Sequence, residues 1–125
     1  MKSAEEIESI LPGFTGTQDY YQYGRMLLTD GAKFVAESCE AYWLFDIISS
    51  LNLVRACRNE EFLTCKLRVV RLKHETKAVF TATDGGKNGR EAVELYRQSI
   101  PLTDFPLDEI KLYVRDGVIF LPSEY

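Results

Sequence analysis

The chain has 125 residues, the size of one domain. It carries 15 basic and 19 acidic side chains, for a net charge of −4, and 46% of its residues are hydrophobic. That balance excludes a histone-like polycation, a collagenous or low-complexity chain and a disordered one.

In chain order, the first residues, Met1-Lys2-Ser3-Ala4-Glu5-Glu6, carry acids with no apolar run behind them, unlike a signal peptide. Ser3 and Glu6 have capping-box spacing, Ile7, Ile10 and Leu11 form one apolar stripe, and Pro12-Gly13 ends a short helix. Residues 13–24 are rich in Gly, Thr and Tyr and read as an ordered arm, followed by a short extended piece at Arg25–Leu28. Thr29 or Asp30 caps a second helix through Cys39. A third helical stretch, Glu40 to about Arg55, carries Trp43, Leu44, Ile47, Ile48 and Leu51 at three- and four-residue spacing and reads as the most buried helix.

From Phe62 the period changes to two. Leu63, Cys65, Leu67 and Val69 alternate with Thr64, Lys66, Arg68 and Val70. Lys73–Thr76 is a turn, 78–83 a second strand, Asp84–Gly89 a loop and Ala92–Ile100 a third strand. Thr103-Asp104-Phe105-Pro106 breaks the chain, residues 110–115 form a fourth strand, and Asp116-Gly117 turns it into a fifth at 118–121. Helices first and strands afterwards predict an α+β domain, with N-terminal helices packed on one face of a four- to five-stranded antiparallel meander.

The chemistry-bearing residues are few. Asp46, set between Phe45 and Ile47, reads as a buried carboxylate, either a structural anchor or the acid of a pocket shared with Asp30, Tyr42, Trp43 and Asp104. His74 is the one histidine and sits in a polar turn. Cys39, Cys57 and Cys65, without CxxC spacing, read as buried free thiols, so neither a metal nor a cofactor is expected. Asp84-Gly-Gly-Lys-Asn-Gly lacks the spacing of a phosphate or calcium loop. Lys66, Arg68, Arg71, Lys73 and Lys77 gather on the first two strands, with Lys66, Arg68 and Lys77 expected on an exposed face beside Thr81, Thr83 and Tyr96. The net charge and Glu91 and Glu94 on the next strand argue against nucleic acid as the partner of that face. Tyr20, Tyr21, Tyr23 and Tyr125 are the candidate interface residues, since tyrosine is enriched at interfaces.

Five blocks, Phe14-Thr-Gly-Thr, Thr29-Asp-Gly-Ala-Lys-Phe-Val-Ala-Glu, Ala41-Tyr-Trp-Leu-Phe-Asp-Ile-Ile, Thr103-Asp-Phe-Pro-Leu and Leu121-Pro-Ser-Glu-Tyr, cover the chain from about residue 12 onward. In this order they resemble a family of small bacterial proteins, also found on mobile elements, known only as a domain of unknown function. The resemblance implies no activity and no catalytic residues. The family's loop between the middle strands is a short Asp-Gly-Asn; here the longer Asp84–Gly89 loop departs from it.

The expectation is a cytoplasmic, non-enzymatic binding protein acting through a protein partner or self-association, with no membrane span. The alternatives are a small enzyme or small-molecule binder around Asp46, and a nucleic-acid accessory protein using the Lys66 and Arg68 strand face.

Overall fold

The computed structural model describes residues 2–87 and 89–125; Met1, and Asn88 of the Asp84–Gly89 loop, lie outside the described residues. Helix α1 (Ala4–Ile10) starts where Ser3 Oγ accepts the Glu6 amide at 3.2 Å, and it runs into a 3-10 turn at Leu11–Gly13. The arm becomes two short strands, β1 (Tyr21–Tyr23) and β2 (Met26–Leu28). Thr29 caps α2 (Asp30–Ser38), its hydroxyl accepting the Ala32 amide at 3.2 Å. Glu40, at φ +50°, turns the chain sharply into α3 (Tyr42–Ser50). The stretch predicted to run to Arg55 therefore ends at Ser50. A 3-10 turn at Leu51–Leu53 and the short α4 (Arg55–Arg58) follow it.

The remaining strands are β3 (Phe62–Arg71), β4 (Thr76–Thr83), β5 (Glu94–Ile100), β6 (Glu109–Arg115) and β7 (Val118–Phe120). The sheet has seven strands in the order β1-β2-β7-β6-β3-β4-β5. The mixed α+β class holds, but two details differ from expectation. The arm contributes two strands of three residues each, too short for a period to show. The meander extends only over β3-β4-β5, because β6 returns to the far side of β3, pairing Leu112 with Cys65, and β2 joins β7 in parallel. The connection Pro101–Asp108 makes this return possible. It sends Phe105 and Leu107 into the core, and its Asp108 carbonyl accepts the Val69 amide at 2.8 Å.

Asp116 (φ +53°) and Gly117 (φ +77°) form the β6–β7 turn, with Arg115 facing Val118. Two successive positive φ values match the twist of the flanking strands, and Gly117 accepts one without a Cβ penalty.

Strand alternation separates two faces. Leu63, Cys65, Leu67, Phe80, Ala82, Leu112 and Ile119 join Ile7, Val35, Phe45 and Ile48 of the helices in one buried cluster. The alternate residues, among them Thr64, Lys66, Arg68, Tyr113 and Phe120, face away from it. A bulge between Ala82 and Thr83 shifts the register of β5, so Tyr96 lies opposite Ala82 with its ring against Phe80. Tyr96 is therefore on the core side, not on the exposed face predicted for it. Among the described residues, no helix is long and apolar enough to cross a membrane.

Candidate functional site

The predicted pocket residues are placed first by the arm. Tyr21 and Tyr23, two residues apart on β1, point toward the helices. The Tyr21 hydroxyl donates to Asp30 at 3.0 Å. Asp30 also accepts the Gln18 amide at 2.9 Å, and its own amide donates to Thr17 Oγ1 at 2.8 Å. The Gln18 amide, followed by the Tyr21 hydroxyl, holds the Asp30 carboxyl below its ordinary 3.8. The same bond raises the Tyr21 phenol.

Tyr23 stacks on Tyr42 at 5.5 Å between ring centroids, and its hydroxyl donates to Asp46. Burial, then that bond, pushes the Tyr23 phenol up to about 12. Asp46 itself is exposed, not buried as expected. Successive helical residues are turned about 100° apart, so apolar neighbours in sequence do not bury it.

Trp43 meets Phe105 edge-on at 6.3 Å, while Asp104, the residue before Phe105, is exposed. Tyr42 and Trp43 line a shallow depression of 420 Å³ with Glu37 and Glu40, and none of the three aspartates contributes to its wall. Tyr42 and Asp46 thus meet through Tyr23, whereas Asp30 is held by a different tyrosine. Among the described residues no group of His, Cys, Asp or Glu is arranged to hold a metal. The three cysteines are free and buried. Burial pushes the Cys39 thiol up to about 12 and raises those of Cys57 and Cys65.

The tail packs back on the domain. Glu124, in a 3-10 turn at Pro122–Glu124, accepts from the Thr29 hydroxyl at 2.7 Å, the Gly31 amide at 3.1 Å and the Leu121 amide at 2.9 Å. The N-terminus of α2 is thus satisfied by Thr17, Thr29 and Glu124 together. A Cβ on Gly31 would lie 2.5 Å from Leu121 Cδ1 and 2.6 Å from Glu124 Oε1, so the close approach of the tail depends on that glycine.

The side of the sheet facing away from the helices holds the second assembly. Phe62, Tyr113, Phe120 and Tyr125 form a four-ring cluster in which every pair is in contact, with centroids 4.9–6.1 Å apart. Phe62, Tyr113 and Tyr125 wall a groove of 850 Å³ together with Thr64, Glu60 and the loop at Asp84–Lys87. The loop is anchored, since Asp84, 7% exposed, meets Arg90 at 2.7 Å and accepts the Val93 and Gly86 amides at 2.9 and 3.0 Å. Arg90 first, then these amides, hold the Asp84 carboxyl far below the ordinary range.

A smaller groove of 320 Å³ adjoins the cluster and contains Tyr20, Phe120 and Tyr125. Tyr20 and Tyr125, 57% and 74% exposed, are therefore brought to one place, while Tyr21 and Tyr23 are taken into the fold. Sequence reasoning missed Phe62, Tyr113, Phe120 and Lys111 as a surface. The available signal was parity, because Phe62, Thr64, Lys66 and Arg68 alternate with the core residues of β3.

The chain belongs to the family of unknown function DUF6876, whose model matches residues 5–125. The match agrees with the resemblance carried by the five blocks, and no curated protein and no solved structure matches the chain. The fold joins the blocks in pairs. Phe14 meets Phe34 at 5.2 Å, Thr17 bonds the Asp30 amide, Thr29 and Gly31 hold Glu124, and Trp43 meets Phe105.

Proposed function

We propose that the chain is a non-enzymatic binding protein of the cytoplasm whose working surface is the sheet face opposite the helices. The observation that supports this most is the convergence of Tyr20, Phe120 and Tyr125 on the groove beside Phe62 and Tyr113. Rings left at the surface in one patch, with Arg115 beside them, are the composition of a contact surface. The carboxylates offer no comparable arrangement. Asp30 is occupied by the arm, Asp46 by Tyr23, and Asp104 lies outside both groups. A general acid or base needs a partner group placed within hydrogen-bond reach of one substrate position, and these three residues do not share one.

Site-directed photo-cross-linking in cells tests the face directly, whatever the partner is. A benzophenone side chain at Lys111 or Tyr125 should give adducts. The same group at Glu5 or Ser9, on the exposed side of α1, should give none. Adducts from α1 alone, or equal adducts from both sides, would overturn the assignment.

A further inference from the structure

Resting on that binding face, we infer that its partner is single-stranded nucleic acid, held through its phosphates by cations of the sheet and stacked on the rings at one end. By alternation and register, the strands of the open face carry Lys66, Arg68, Lys77, Arg97, Lys111 and Arg115 against Glu94 and Glu109, while Glu75 and Asp116 pair with Lys77 and Arg115 at its edges and Glu60 and Glu61 line the groove at the ring end. This excess of cations stands on a chain whose net charge is −4. The fold has sorted the charges along the strands, and the total hides a cationic row that runs from Lys111 through Lys66 to Arg97. Such a row raises the local concentration of a polyanion and steers its approach.

The arrangement within the face is more specific than its sum. Lys66 lies directly opposite Lys111 across the β3–β6 ladder. Like charges at facing positions of an antiparallel pair destabilise the sheet. The one acid nearby, Glu109, is taken by Lys66 at 3.3 Å and Arg68 at 3.7 Å. Among the described residues, Lys111 forms no ion pair. A facing lysine pair with a single shared acid is poor for stability and well suited to an anion lying across the strands. On the other side of Lys66, Thr81 and then Arg97 extend the same row.

The next row of the face is Thr83, Thr64, Tyr113 and Phe120. Tyr113 is two residues from Lys111 on one strand and one face, a step of about 7 Å. That spacing lets one nucleotide place its phosphate on Lys111 and its base against the rings. Bases have π faces regardless of sequence, so a ring platform beside a cationic track takes a single strand without reading it. A duplex gains little from the rings, because its bases are already stacked on one another. An acidic protein segment would use the cations and leave the rings idle.

The test is fluorescence anisotropy with labelled dT12 and U12 at 50 and 200 mM salt. We expect binding at 50 mM that weakens roughly thirtyfold by 200 mM, since each neutralised phosphate contributes a slope of about −0.7 and three to four contacts are available. Lys111→Gln should weaken binding and shallow that slope by about 0.7, while leaving the melting temperature unchanged or raised, because it relieves the facing lysines. Tyr113→Leu should cost roughly tenfold at unchanged slope, and Tyr113→Phe should restore most of it. Lys33→Gln, the same charge change on α2, should alter neither affinity nor slope.

Absence of binding to both oligomers at 50 mM salt would overturn the inference. So would equal losses from Lys33→Gln and Lys111→Gln, or Tyr113→Leu binding like the parent. A labelled decaglutamate peptide separates this failure from failure of the face itself. If that peptide binds and the oligomers do not, nucleic acid is excluded and the binding face stands; cross-links confined to α1 remove both.

Discussion

Replacing Gly31 by alanine is the most informative single change for the fold. In an ordinary helix the substitution stabilises by up to about 1 kcal/mol, because alanine loses less backbone freedom. At Gly31 the new Cβ would sit 2.5 Å from Leu121 Cδ1 and 2.6 Å from Glu124 Oε1. Both atoms are side-chain ends and can swing away, so the cost is what they abandon. Glu124 gives up its bonds to Thr29, Gly31 and Leu121. At about 1 kcal/mol net per bond, that is about 3 kcal/mol. Subtracting the helical gain leaves a net destabilisation of about 2 kcal/mol, a shift of about 1 M in the urea midpoint or roughly 8 °C in Tm. Urea unfolding followed by far-UV circular dichroism measures it. A double-mutant cycle sharpens the test, because in a Glu124→Ala background the same Gly31→Ala change should cost little or become stabilising. An unchanged or raised midpoint for Gly31→Ala in the parent, or strict additivity with Glu124→Ala, would refute the account of the tail.

Asp84 should make stability depend on acid pH. Its folded pKa lies below its ordinary 3.8, so its contribution is complete above that value and is lost as pH falls through the folded one. The gap in urea midpoint between the parent and Asp84→Asn should thus be wide at pH 6 and narrower at pH 3; a constant gap would contradict the Arg90 and loop-amide pairing. The three cysteines should be silent toward a thiol reagent at pH 8 in the native protein and all titrate in denaturant, because burial raises each thiol. Rapid native labelling of Cys39 or Cys65 would show the core to be more open than the structure has it.

Much of the architecture was legible because alternation reports faces. Leu63, Cys65, Leu67 and Val69 have the parity of the core, and Asp116-Gly117 carries its own turn geometry. Parity does not report neighbours. Nothing in residues 109–115 says that β6 passes β4 and β5 to pair with β3, since that choice depends on Phe105 and Leu107 finding the core. One inserted residue is equally invisible, and the bulge at Ala82/Thr83 turned Tyr96 inward. Asp46 misled for a different reason, because adjacency in sequence is not adjacency on a helix. The net charge is a sum and reports no placement: Lys66, Lys111 and Arg97 come together only when the strands align.

The parallel pairing of β2 with β7 also orders events during synthesis. Thr29 and Ile119, joined by a backbone bond of 3.2 Å, stand 90 positions apart. The β1–β2 hairpin emerges early, yet a lone hairpin is barely stable in water. It waits with one edge unpaired until residues near 118 appear. Contacts so distant in sequence slow folding and leave strand edges open to other chains meanwhile. The nascent protein thus completes its sheet by uniting an early segment with a late one, and truncation before Gly117 would leave an edge-exposed, association-prone intermediate.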